Sequence, residues 1–208
     1  SRALIEAQAK GCRLVVVDPN FTETAQKADE WVPIRPGTDG AMALAMCRVI
    51  IDEKLYDEAF VNQYCEGFNG FRDHLHDKGY TPEWAEEICG IEAATITRLA
   101  REFATTKPAM SAIFKGSGYY TNGHDAGRAC YILDAICGEV DKPGNIHLKD
   151  WAPLGAPVEI PADAMRQPEK DPLHIAMGYA LAPDLPNSRL PDAVINGDPY
   201  PVKGLFVH

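Results

Sequence analysis

Leu14-Val15-Val16-Val17-Asp18-Pro19, followed by Ile34-Arg35-Pro36-Gly37-Thr38-Asp39, is the stretch that decides how this chain folds. The first run is continuous and β-branched, as expected of a strand buried on both faces of a parallel sheet. It ends in an acid and a proline. About twenty residues later a proline–glycine turn delivers a second acid to the start of a helix. Two carboxylates at the rim of one parallel sheet suit the ribose and the base of a nucleotide. Thr22 and Thr24 stand between them.

The rest of the chain reads outward from this core. Residues 2–10 predict a helix stopped by Gly11, and a helix before the 14–17 strand implies an earlier parallel strand. Residues 31–34 predict a short strand that Pro33 makes an edge or weak one. Thr38 is expected to cap a helix through about residue 55, apolar around most of its circumference, with Arg48 and Asp52 four apart on the polar stripe. A shorter helix is expected over 57–66. Residues 68–79, which contain His74 and His76, read as a variable insertion. Thr81-Pro82-Glu83 opens another helix that ends at Gly90. Ile96, Leu99, Ala100 and Phe103 mark a helical stripe over 92–104, which Pro108 terminates. Residues 109–114 then read as a buried strand, residues 115–123 as a glycine-rich loop, and the next helix as running to about Cys137, with Gly138 ending it. Residues 141–145 read as a turn.

After residue 150 the composition shifts, with ten of the sixteen prolines in 151–208. Proline at that density excludes long helices and central strands. The segment 148–208 reads as an extended connector, with a short helix near 171–179 and a closing strand at 204–207. The expected fold class is α/β: a three-layer αβα arrangement with a mostly parallel, Rossmann-like sheet over residues 1–147, then the proline-rich extension.

Composition bounds the function. Of the 208 residues 46% are hydrophobic and 24% charged, which is ordinary for a globular domain, and the formal charge of -10 argues against nucleic acid or an anionic membrane surface as partner. No apolar run has the length of a membrane span. The sequence opens inside a helical pattern and closes inside a strand pattern, so a piece of something larger is expected. Six cysteines, at 12, 47, 65, 89, 130 and 137, include no Cys-x-x-Cys pair. That spacing argues against ligation of a metal or cluster and for buried free thiols.

Three elements carry chemistry. Asp18 suits ribose hydroxyls, though Asp-Pro is equally a turn former. Asp39 stands where an acid is favoured by the helix dipole. Its two acceptor oxygens also match the adjacent N1–H and N2 donors of guanine, which adenine lacks. The loop 115–123 lets backbone approach a ligand through Gly116, Gly118 and Gly123, and its place between strand and helix suits an anion. Lys115 could meet a phosphate or a pterin carbonyl, and Tyr119 or Tyr120 could stack, hydrogen-bond or fill core. The loop is neither a Walker A loop nor a dinucleotide fingerprint. No catalytic set is complete: His124-Asp125 are only sequence neighbours, Ser117 is not in a nucleophile elbow, and the remaining histidines read as surface residues.

These residues together resemble the catalytic subunit of the molybdopterin oxidoreductases, the dimethyl sulfoxide reductase superfamily. The resemblance rests on Val16-Val17-Asp18-Pro19 with Thr22 and Thr24, Ala28-Asp29, and Ile34 to Asp39. It continues through Ala43 to Met46, Ile50 to Glu53 and Tyr56-Asp57. It resumes at Ile96, Leu99 to Ala104, the glycine loop, and Gly138 to Asn145. The resemblance implies a central α/β domain binding one of two molybdopterin guanine dinucleotides that hold molybdenum or tungsten. It places Asp18, Pro19 and Thr22 on the ribose and phosphate side, Gly37, Thr38 and Asp39 at the guanine, and Lys115, Gly116 and Tyr119 in a loop facing the pterin. Two positions depart from the family pattern: Asn20, where many members have Arg, and Tyr119, often a polar amide. The family's iron–sulfur cysteines, its metal ligand and its closing domain are not in this sequence.

The resemblance therefore implies a cofactor-binding portion, inert alone, of an enzyme that transfers electrons or an oxygen atom at the metal. The rest of the catalytic subunit and an iron–sulfur electron-transfer subunit would be its partners. A non-redox hydratase or transhydroxylase stays open, as does location in the cytoplasm or periplasm of a prokaryote. From the residues alone, a self-contained nucleotide-dependent dehydrogenase and a non-catalytic interaction domain remain alternatives.

Overall fold

The computed structural model describes residues 2–113, 115–147, 190–197, 201 and 203. The chain divides into two units, within 1–150 and 151–208, each taken by itself. In the first, α1 (Arg2–Gln8) leads to β1 (Val15–Val17) and β2 (Glu30–Val32), with a 3-10 turn at Ala25–Lys27 between the strands. Then come α2 (Asp39–Asp52), α3 (Glu58–Tyr64), α4 (Phe68–Asp77), α5 (Pro82–Cys89), α6 (Ala93–Thr105), α7 (Lys115–Gly118) and α8 (Gly123–Ile136). In the second unit the described element is α9 (Leu190–Asn196). The expected helix at 171–179 and strand at 204–207 lie outside the described residues.

The strand pair is parallel, with Val15, Val16 and Val17 opposite Glu30, Trp31 and Val32. β2 ends before Pro33, which has no N–H to continue the ladder. The described residues thus form a mostly helical α/β unit around a two-stranded sheet, smaller than the three-layer sheet the sequence suggested. One reason is the segment 109–113, expected as a strand, which is irregular. Its backbone donors go to carboxylates instead of a neighbouring strand: Ala109 N–H to Glu139 Oε2 at 3.3 Å and Ser111 N–H to Asp134 Oδ1 at 2.8 Å. Phe114 lies outside the described residues.

The core is centred on α2, which buries Met42, Ala43, Ala45, Met46, Cys47, Val49, Ile50 and Ile51. Such a helix must be enclosed by others, and α4, α5, α6 and α8 all pack on it. Its first turn crosses α8 closely: a Cβ on Gly40 would stand 3.1 Å from the Ala126 Cα. The polar stripe pairs as expected, Arg48 Nε to Asp52 Oδ2 at 2.6 Å, and Arg48 also reaches the Leu75 carbonyl of α4 at 3.0 Å.

The supposed insertion at 68–79 is the helix α4. Phe68, Phe71 and Leu75 recur at helical spacing and pack on the core, Leu75 completely buried. His74 and His76 therefore belong to a helix, where His76 Nε2 meets Asp52 Oδ1 at 3.0 Å. α5 is capped as predicted, Thr81 Oγ1 accepting from Trp84 N–H at 3.3 Å, with Gly90 left-handed at φ 76° after its last turn. All six cysteines are free thiols, and Cys47, Cys89, Cys130 and Cys137 are buried. Among the described residues no helix is long and apolar enough to cross a membrane.

Candidate functional site

Because β1 and β2 are parallel and Val17 faces Val32, both strands leave the sheet at the same end. Asp18 follows one strand directly, and the Ile34–Asp39 turn follows the other across Pro33. Loops at the carboxyl ends of parallel strands are where α/β sheets bind ligands.

Asp18 is half-buried there. Its N–H donates to the Val32 carbonyl at 3.2 Å and its carbonyl accepts from Trp31 Nε1 at 2.9 Å. Its Oδ1 accepts from Asn20 N–H at 2.7 Å, an Asx turn, so one carboxylate oxygen serves the local backbone. Thr22 does likewise, Oγ1 accepting from Ala25 N–H at 3.2 Å ahead of the 3-10 turn. Pro19 is exposed beside them.

The turn carrying Gly37, Thr38 and Asp39 is anchored by Arg35, to which the sequence alone assigned no role. Its guanidinium donates to the carbonyls of Glu87 at 2.7 Å and Ile88 at 3.2 Å, at the C-terminal end of α5, and its N–H donates to the Cys89 carbonyl at 3.0 Å. A cation there complements the negative end of the helix dipole. The Arg35 carbonyl in turn accepts from Thr38 Oγ1 at 2.6 Å and Thr38 N–H at 3.3 Å. Thr38 occupies the N-cap position of α2 but makes no side-chain cap; its hydroxyl faces back into the turn, contrary to expectation. Asp39 then begins α2, half-buried, and its carboxylate has no hydrogen-bond or ion-pair partner among the described residues.

The stretch 115–123 is less of a loop than its composition suggests. Lys115–Gly118 forms one helical turn, so its amides do not all face outward. A Cβ at Gly116 or Gly118 would meet nothing within 4 Å, whereas one at Gly123 would stand 2.4 Å from the Gly118 carbonyl oxygen. Glycine is required at 123, where α8 starts against α7, and only tolerated at 116. Lys115 is exposed and Tyr119 is 77% exposed, which excludes a core role for this tyrosine. Between α7 and α8 lies an open groove of about 290 Å³, walled by Ile113, Ser117, His124, Gly127, Arg128 and Tyr131.

Two of the three predicted elements meet directly. Asn122 Nδ2 donates to the Gly37 carbonyl at 3.1 Å. The Tyr120 ring lies against Gly37, where an added Cβ would be 3.0 Å from both Cγ and Cδ1. Gly37 has φ 78°, the left-handed region that glycine enters without strain. The turn at residues 36–39 and the glycine-rich stretch therefore form one continuous surface. No local pattern in the sequence points to Asn122, because its partner is 85 positions away.

Comparison with known proteins matches the family described as "Molybdopterin oxidoreductase" over residues 2–180. The chain is 38% identical to dimethyl sulfoxide reductase DmsA of Escherichia coli K12 over 66% of its own length and 19% of that protein's. It is 37% identical to the thiosulfate reductase molybdopterin-containing subunit PhsA of Salmonella typhimurium LT2 over 70% of its length and 19% of that protein's. Among solved structures, it resembles acetylene hydratase from Pelobacter acetylenicus with a TM-score of 0.62 and 40% identity, covering 65% of this chain and 18% of that one. The chain thus spans about a fifth of the length of these relatives. It belongs to the molybdopterin oxidoreductase family.

Proposed function

We propose that this chain holds the guanine end of a molybdopterin guanine dinucleotide within the catalytic subunit of a molybdenum or tungsten oxidoreductase. The observation that carries the reading is Asp39: a half-buried, unpartnered carboxylate at the first residue of a fourteen-residue helix, fixed by a turn tied down on both sides. The residues fit such a group. The two carboxylate oxygens of Asp39 would match the two adjacent donors of guanine, and Asp18 retains one carboxylate oxygen that would accept from a ribose hydroxyl. Lys115 and Tyr119 are exposed on the adjoining surface, suited to phosphate and to a flat pterin. Gly37 and Thr38 serve through backbone shape, Pro19 and Thr22 shape the ribose-side turn, and Gly116 lies in the helical turn beside Lys115.

When bound, the metal centre of that group supplies electron or oxygen-atom transfer. The residues of this chain bind and orient the cofactor, and the chain alone is inert. In the whole enzyme the partners are the remainder of the catalytic subunit and an iron–sulfur electron-transfer subunit. Likeness to an acetylene hydratase supports a second reading of the whole enzyme's reaction, hydration in place of electron transfer, on the same cofactor site.

Calorimetric titration of the 208-residue chain with GDP, ADP and NAD tests this. GDP is expected to bind in preference to ADP, and Asp39→Ala to weaken GDP at least about tenfold, the effect of losing hydrogen bonds to a charged acceptor. Equal binding of ADP, or an unchanged GDP affinity in Asp39→Ala, would overturn it. Preferential NAD binding would instead support a dehydrogenase.

A further inference from the structure

Asn122 stands at the N-cap of α8, a position where asparagine normally accepts a hydrogen bond from the first turn and contributes about 1 kcal/mol. It makes no such bond. Its amide is turned away from its own helix and donates to the Gly37 carbonyl. The neighbouring Tyr120 lays its ring on the same glycine, so closely that an added Cβ would stand 3.0 Å from Cγ and Cδ1 and the ring would have to shift. The peptide so gripped lies two residues before Asp39, between the Arg35 anchor and the first turn of α2. Fixing that peptide fixes the direction in which α2 begins, and with it the aim of the Asp39 carboxylate.

We propose that Asn122 and Tyr120 are positioning residues for base recognition, so that the glycine-rich stretch, expected to meet a phosphate or the pterin, also shapes the base-selecting turn. The proposal rests on the guanine reading of Asp39. It adds a consequence: an occupant of the Lys115–Tyr119 surface and the base at Asp39 are linked through the Gly37 peptide.

Asn122→Ser tests it. Serine is neutral, equally favoured at helix starts and too short to reach the Gly37 carbonyl. In the 208-residue chain it should keep a cooperative urea transition, with at most the small fall in midpoint that one lost neutral hydrogen bond brings, and raise amide hydrogen exchange at residues 37–40. It should also lower the GDP-over-ADP preference about fivefold, the equivalent of one neutral hydrogen bond. Tyr120→Ala should act in the same direction, and neither change should matter further in an Asp39→Ala background. If Asp39→Ala abolishes the preference while both loop variants keep it, the positioning role is overturned and the guanine reading stands. If the parent shows no preference for GDP, both fall together. A lower midpoint with unchanged preference also overturns the proposal, because it would make the contact merely structural.

Discussion

Replacing Gly37 with alanine probes the junction on which the site depends. The glycine has φ 78°, and an L-residue in the left-handed region costs roughly 1–2 kcal/mol. The new methyl would also stand 3.0 Å from Tyr120 Cγ and Cδ1 and 3.3 Å from Cε1, inside the 3.5–4.0 Å optimum for carbon contacts. Relieving that overlap means moving the ring, an overpacking cost of roughly 1–3 kcal/mol. Gly37→Ala should therefore destabilise the chain by about 2–5 kcal/mol in urea unfolding followed by circular dichroism. In a Tyr120→Ala background only the backbone share should remain, about 1–2 kcal/mol. The double-mutant cycle then reads the steric share directly. Gly116→Ala is the control. It sits in a helical turn with nothing within 4 Å of its Cβ position, so alanine should be neutral or stabilise by up to about 1 kcal/mol. An identical cost for Gly37→Ala with and without Tyr120, or a cost no larger than that of Gly116→Ala, would refute the reasoning.

Arg35→Met should cost about 1 kcal/mol, because the one guanidinium nitrogen that donates to both the Glu87 and Ile88 carbonyls is lost; a variant as stable as the parent in urea would show that the anchor is dispensable. Burial raises the carboxyl of Asp134 above its ordinary 3.8, against the opposing hydrogen bonds from Ser111. A raised folded-state value means that its contribution to stability is complete below pH 3.8 and is lost as pH rises through the folded value. Urea unfolding across that range should show Asp134→Asn gaining on the parent as pH rises towards 7, and a constant difference between the two proteins would contradict this assignment.

What could be read from the sequence was what is local. The Val15–Val17 run, the Thr81 cap with Pro82, and Gly90 and Gly138 at helix ends each act over a few residues, and each stands where expected. But β1, expected to be buried on both faces, is only half-buried, with Val17 exposed, because one neighbouring strand covers it among the described residues. α4 escaped notice because Gly70 and its polar residues hide a stripe of only three large apolar side chains. The 109–113 strand failed because strand propensity does not supply a neighbour: its donors are taken by the buried carboxylates of Asp134 and Glu139. The site divides in the same way. Asp18, Gly37 and Asp39 stood out as turn and helix-start residues. Arg35 and Asn122 act on partners far away in the chain, and nothing within a local window marks them; Tyr120 stands out in its loop, but its pairing with Gly37 does not.

The close crossing of α2 and α8 at Gly40 and Ala126 also sets an order of events. A contact between segments so far apart carries a loop-closure cost that local contacts do not, and closing long loops is what slows folding. During synthesis the Pro36-Gly37-Thr38-Asp39 turn emerges long before Asn122 and Tyr120 do. The motif is then present as sequence without its shape. On the proposed reading, competence to receive a nucleotide depends on α8 having docked, and a nascent chain short of α8 would carry the motif without the contacts that shape it.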